Sequence, residues 1–388
     1  MKRAAVNARD FPAPLSATAG IQEAIAALPA GGGVVHLPPG RYALRRSVEL
    51  RSGVALRGEG PATVLTRPEE LIIPLARRTD GSRRTVCLRR APKLRVGDEV
   101  YIGDDESHGW WASHCIIREI RGKVLGLEIL HGQRKYRFLP ERHAFMANWF
   151  PALWLRGVRE VTIADLTIDG GERTRRRERC DFVVAAVHVH RAENLRVANL
   201  TVRNWPGDGI GIQGGRGALV TGCIVENCAG HGYHPGTGLT ESVWAGNLAR
   251  GNAGDGLYFC LRVTHSTVQG SVFAGNRGHG IGGLSDPDQY NAVIGNVCAN
   301  NGAHGIDADR SVGNAIHGNV CRNNSRRAPG KFAGIYLAGH RHSAVTGNVC
   351  VDDQRRPTQR RGLVNAKPAG PNLVRHNLRA PRAARPGG

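Results

Sequence analysis

Apolar and polar residues alternate along the middle of this chain in short bursts, and the bursts recur. Asp208-Gly-Ile-Gly-Ile-Gln213, His231-Gly-Tyr-His-Pro-Gly236, Asp255-Gly-Leu-Tyr-Phe-Cys260, His279-Gly-Ile-Gly-Gly-Leu284, His304-Gly-Ile-Asp-Ala-Asp309 and Ala333-Gly-Ile-Tyr-Leu-Ala338 share one pattern. Their glycines at 209, 232, 256, 280, 305 and 334 are spaced 23, 24, 24, 25 and 29 apart. A second corner follows in each unit, at Gly222, Gly246, Gly270, Gly295, Gly318 and Gly347, and Asn227, Asn252, Asn276, Asn301 and Asn324 mark the next turn. A fixed period of short period-two strands with Gly and Asn corners is the mark of a solenoid. With no helical period inside the unit, the pattern predicts an all-β, right-handed parallel β-helix.

Alternation also predicts which side chains face out. Val187, Val189, Ile210, Ile212, Tyr233, Pro235, Leu257, Phe259, Ile306 and Ala308 should point inward. One outward row then runs Trp154, His188, Gly211, His234, Tyr258, Gly282, Asp307, Tyr336, and a second Arg156, His190, Gln213, Gly236, Cys260, Leu284, Asp309, Ala338.

Outside the repeats the chain divides into a cap with first coils (1–76), an inserted small β-subdomain (77–150), the β-helix proper (151–378) and a basic tail (379–388). Apolar residues at 21, 24, 25 and 28 predict a short amphipathic helix covering the first coil, whose strand edges and apolar stack need covering. Val86 to Leu88, Val100 to Ile102, Cys115 to Ile120 and Val124 to Leu130 read as strands of the insert. Trp110, Trp111, Trp149 and Phe150 lie there or at its exit, where burial against the solenoid outweighs a stacking role. An arginine-rich loop, Glu172 to Arg179, and the tail are read as solvated charge.

The formal net charge of +21 favours an anionic partner. Arginines are scattered and not gathered on one row, so an acidic carbohydrate is favoured over nucleic acid. No apolar run approaches a membrane span, and Met1 to Asp10 has no apolar signal core, which fits a cytoplasmic protein or a secreted one after signal removal. The nine cysteines form no CxxC pair; Cys298, Cys321 and Cys350 each fall three after a corner glycine and should stack inward, so no disulfide framework is expected. Nothing here specifies an oligomeric state.

The outward rows hold the candidate chemistry. His188, His190, His234, Tyr258 and Asp307 lie beside glycines that leave room, and a column of Asp208, His231, Asp255, His279 and His304 runs at the turn before each strand. Titratable groups gathered within one or two coils are what proton transfer requires. His234, His279, Tyr258, His231 and Asp255 are the catalytic candidates, with His279 or His234 as base and Tyr258 as acid. Arg262 and Arg277 are candidates for neutralising a substrate carboxylate, and His188, His190, Gln213 and Asp307 for lining its path. No metal is assigned. Calcium would accept oxygens of Asp286, Asp288, Asp307 and Asp309, and a softer ion His231, His234 and Cys260, but turn-polar residues account for them as well.

Some of these residues resemble a family. Residues 21–42, the helix running into Pro29-Ala-Gly-Gly-Gly33 and the first strand, resemble the start of the pectate-lyase-like superfamily. His231-Gly-Tyr-His-Pro-Gly236 is similar to the Tyr-Gly-Phe-Asp-Pro-His motif of mannuronan C5-epimerases and related β-helix lyases, matching at Gly232 and Pro235. Asp255 and His279 match at the spacing of that family's later motifs. His231 stands for the tyrosine, His234 for the aspartate and Gly236 for the histidine, and the arginine is displaced to Arg277. The resemblance implies removal of a uronate C5 proton, by β-elimination or epimerisation. A glycoside hydrolase on the same fold and a non-catalytic carbohydrate-binding module remain as alternatives, because fold alone does not decide function.

Overall fold

The computed structural model describes residues 4–11, 16–80, 82, 84–107, 111–132, 136–171, 182–285 and 287–379. The repeats wind into a parallel β-helix with three sheets, of twelve, ten and eleven strands. Successive units pair in parallel and in register: Trp154, His188, Gly211 and His234 are direct neighbours, as are Tyr258 with Gly282 and Asp307 with Tyr336. The inward residues of every coil merge into one continuous core, in which Ile210, Ile212, Tyr233, Leu257, Phe259 and Ile306 are buried. Cys298, Cys321 and Cys350 stack within it on adjacent strands.

Close stacking of the coils explains the repeating glycine. A Cβ on Gly232, Gly256 or Gly280 would sit 2.5, 2.6 or 2.6 Å from the carbonyl oxygen of the glycine one coil on. The corner asparagines have a different task. Asn252, Asn276, Asn301 and Asn324 are buried, and the Oδ1 of each later residue accepts the backbone N–H of the one before. Their Nδ2 groups donate to core-strand carbonyls such as those of Val225, Ala249, Phe273 and Cys298. Buried turn backbone is thereby satisfied without water, as burial requires.

The cap is a helix, Ile21–Ala27, whose Ile21, Ala24 and Ile25 are buried. Arg51 ties it down by donating to the carbonyls of Ile25, Leu28 and Pro29. A strand not expected from the sequence, Ala5–Asn7, pairs with Gly33–His36 and forms the edge of the twelve-stranded sheet. At the far end Arg361–Ala366, also unexpected, extends the ten-stranded sheet, and Leu373–Arg375 and Leu378–Arg379 close the other two.

Six antiparallel strands between Ile72 and Ala147 form a separate sheet with its own core, centred on Ile73, Val86, Ile102, Ile117 and Met146. This sheet leans on the solenoid: the His114 and His131 rings pack against Trp154, with centroids 5.2 and 6.2 Å apart. Trp149 and Phe150 are buried, Trp111 is half exposed, and Trp110 lies outside the described residues. Several expected outward positions differ. Trp154 and His188 do project from the solenoid, but the insert and Phe182 cover them, so both are buried. Leu284 turns into the core, because the strand stops at Gly282 and Gly283 takes φ +79°.

Candidate active site

The column before each strand is a hydrogen-bonded ladder. The His231 backbone N–H donates to Asp208 Oδ1 at 2.7 Å, and that of Asp255 to His231 Nδ1 at 2.9 Å. The His279 N–H donates to Asp255 Oδ1 at 2.6 Å, that of His304 to His279 Nδ1 at 3.2 Å, and that of Ala333 to His304 Nδ1 at 2.8 Å. Each side chain thus accepts from the coil that follows, which explains why only short acceptors, Asp and His, occupy these positions. A histidine whose Nδ1 accepts an amide proton is neutral and carries its own proton on Nε2. His231, His279 and His304 therefore offer N–H donors, not lone pairs, at their free nitrogen. Burial agrees, holding their pKa at about 4, about 3 and about 4 respectively.

His234 is held differently. Its Nδ1 meets Asp208 Oδ2 at 2.6 Å, and both side chains are buried. Although burial alone would lower its pKa, the Asp208 carboxylate beside it and the Cys260 side chain raise it to about 9. Around this imidazole pack Phe182 and Tyr258, with centroids 5.8 and 5.3 Å away. Tyr258 stacks flat on His231 at 4.5 Å and its ring lies against Gly283. Burial and its neighbours push its phenol up to about 12, so it keeps its proton.

The carboxyls of Asp255 and Asp307 lie on the same face. Burial, and then the charge of Asp307, lift Asp255 to about 7; burial and Asp309 lift Asp307 to about 6. Gly282 is the reason Asp255 fits, since a Cβ there would fall 2.4 Å from Asp255 Oδ2. His279 Nε2 approaches Asp307 Oδ2 at 3.9 Å. Beyond it His304 stacks between His279 and Tyr336 at 5.3 and 4.8 Å, edged by Phe332 at 5.0 Å.

The structure thus brings His231, His234, Asp255, Tyr258, His279 and Asp307 together. It does not bring in every candidate. His188 is buried with its Nδ1 facing the Phe182 carbonyl, and the space above Gly211 is taken by Ala185. Gln213 is buried, accepting from the Thr237 hydroxyl and donating to the His234 carbonyl. His190 is half-buried beside Arg156 and Arg191. Arg262 and Arg277 are exposed, and among the described residues neither forms an ion pair with the cluster. Asp288 spends its oxygens on the Val263 N–H and the Ser285 hydroxyl; Asp286 lies outside the described residues. No group of three or more His, Cys, Asp or Glu side chains is arranged to hold a metal ion among the described residues.

Three participants were missed. Asp208 stood in the column but was not assigned to His234. Phe182 and Arg327 were not singled out, although Arg327 acts electrostatically on Asp255 and His279 from the loop 325–332. The signal for that loop was the lengthened spacing of 29 before Gly334.

The neutral ladder also makes stability depend on pH. A histidine with a depressed folded pKa contributes stability above its unfolded value near 6.5 and loses it as pH falls toward the folded value. Raised Asp255 and Asp307 act in the opposite sense over the same window. His131, His188, His231, His279 and His304, at about 3 to 4, outnumber them. The thermal midpoint is therefore expected to fall as pH is lowered from about 7 to about 5 in a calorimetric series. A midpoint unchanged or raised at the lower pH would contradict neutral, accepting histidines.

Comparison with known proteins agrees on the fold. The family model described as "Right handed beta helix region" matches residues 185–350. Among solved structures the chain is similar to the A-module of Azotobacter vinelandii mannuronan C-5 epimerase AlgE6, at 15% identity and a TM-score of 0.58 over 97% of this chain and 99% of that one. The A-module of AlgE4 from the same organism is similar at 16% identity and 0.56, covering 97% and 100%. The catalytic domain of a GH87 alpha-1,3-glucanase follows at 12% and 0.54, covering 90% of this chain and 53% of that one. No curated protein matches the sequence significantly. The chain is a right-handed parallel β-helix, a fold it shares with these two epimerase modules and the glucanase domain.

Proposed function

We propose that this protein acts on an acidic, uronate-containing polysaccharide or glycoside by moving the proton at C5, as a β-elimination lyase or an epimerase. The observation that carries this reading is the buried Asp208–His234 pair set against Tyr258, on a face where neighbouring histidines present N–H groups and Asp255 sits near neutrality.

The Nε2–H groups of His231 and His279, with the charge of Arg327 acting near His279, bind the uronate carboxylate and acidify C5. His279 is then a donor to substrate and not the base expected from its position in the sequence. Asp255, whose pKa of about 7 suits a base at neutral pH, accepts the C5 proton. Tyr258 donates its proton to the departing O4 as the C4–O4 bond breaks, leaving a C4=C5 double bond; in epimerisation it returns a proton to the opposite face of C5 instead. The imidazolium of His234 stabilises the phenolate that Tyr258 becomes.

Hydrolysis is a second reading, favoured by the mutual influence of the Asp255 and Asp307 carboxyls, since an acid and a base carboxyl are what glycoside hydrolysis needs. The deciding assay offers a panel of acidic polysaccharides and follows ultraviolet absorbance of the unsaturated product, C5 proton exchange with solvent, and new reducing ends. Absorbance or exchange is the expected result. Reducing ends with neither would establish the hydrolase in its place.

A further inference from the structure

Most cysteines of this chain are sealed in the core: Cys115, Cys223, Cys228, Cys298, Cys321 and Cys350 are buried, and burial pushes the Cys223 and Cys228 thiols up to about 11 and about 12. Cys260 differs. It is partly exposed, in the second outward row beside Gly236. Its backbone is tied to the preceding coil through both polar groups, the Cys260 N–H donating to the Pro235 carbonyl at 2.9 Å and the Thr237 N–H to the Cys260 carbonyl at 2.7 Å.

The chain then turns through two consecutive left-handed residues, Leu261 and Arg262, at φ +67° and +66°. Side chains of this size rarely adopt that region, and such backbone is retained where the surroundings enforce it. Here Asp288, wholly buried, enforces it by accepting the Val263 N–H. The turn ends the strand abruptly and leaves the thiol at its rim.

Facing that rim is His234. Its Nδ1 is committed to Asp208 Oδ2 at 2.6 Å, while its Nε2 is buried and has no hydrogen-bond partner among the described residues. The Cys260 thiol lies diagonal to His234 on the neighbouring coil, opposite Gly236, and interacts with both the imidazole and the Tyr258 hydroxyl. A thiol next to an imidazole that a carboxylate orients is the arrangement that generates a nucleophilic sulfur. We propose that Cys260, His234 and Asp208 form a thiol–imidazole–carboxylate triad that makes Cys260 the reactive thiol among the described cysteines, a covalent site for soft electrophiles.

The reaction with iodoacetamide balances without a further reagent. The sulfur attacks the iodine-bearing carbon, the S–C bond forms as the C–I bond breaks, iodide departs, and the thiol proton passes to solvent, the His234 imidazolium stabilising the thiolate that attacks. The inference does not depend on uronate chemistry, and its test uses no carbohydrate.

The test is peptide-resolved mass spectrometry of the full chain during labelling with limiting iodoacetamide at neutral pH. Cys87, partly exposed and remote from any histidine–carboxylate pair of the site, is the internal reference. Cys260 is expected to label at least about tenfold faster than Cys87 in the native protein, and at a similar rate in urea. His234→Gln, checked for its fold by circular dichroism, should bring the native ratio down by about the same factor. A native ratio near one overturns the triad, and so does a ratio unchanged in folded His234→Gln. If that variant does not fold, the native-to-urea comparison in the unaltered protein decides alone.

Discussion

Replacing His234 with alanine is expected to remove turnover, by roughly a hundred- to ten-thousand-fold in kcat, with KM nearly unchanged. The imidazole lies beneath the substrate face, so it contributes little to ground-state binding. Its charge is needed only once Tyr258 has given up its proton. Asp208→Asn separates charge from position. An amide oxygen can still accept the His231 N–H, and the ladder is retained, but the carboxylate that holds His234 near 9 is gone. The proton on His234 is then lost at lower pH, and the alkaline limb of the kcat/KM profile should move down from about 9. A folded His234→Ala enzyme with full activity, or an Asp208→Asn profile identical to that of the parent, would remove this pair from the chemistry.

The repeat architecture was legible because it is written in sterics. Gly232, Gly256 and Gly280 recur since no other residue clears the next coil's carbonyl, and Asn252, Asn276 and Asn301 recur since each must accept an amide from the turn before. Those constraints act at a constant offset along the chain, so a period reveals them. The candidate column was visible for the same reason. What its members do with each nitrogen was not. The tautomers of His231 and His279 depend on which coil's N–H lands on Nδ1, and the pairing of His234 with Asp208 spans 26 residues at no repeated offset. Cover was equally hidden. His188 and Gln213 obey the outward alternation, yet Phe182 and the neighbouring coil bury them. Alternation tells which side of a strand a residue takes, and not what another part of the chain lays over it.

Asp255 offers the other large effect, because the same environment that admits its carboxyl also tunes it. Burial raises it to about 7, with the charge of Asp307 adding to the rise and the His279 N–H, His234 and Arg327 opposing it. A base must be ionised to work, so kcat/KM should climb as pH rises through about 7 and, with His234 required protonated, decline above about 9. Asp255→Asn keeps an acceptor for the His279 N–H but cannot take a proton at carbon. Activity should drop by roughly a hundred- to ten-thousand-fold at every pH, and the limb near 7 should vanish from what remains. Asp307→Asn makes the comparison informative. It removes a neighbouring negative charge, so the acid limb should shift to lower pH while the maximal rate stays close to that of the parent. If Asp307→Asn instead abolishes turnover as completely as Asp255→Asn, the two carboxyls share the chemistry as acid and base, and hydrolysis becomes the better account of this face.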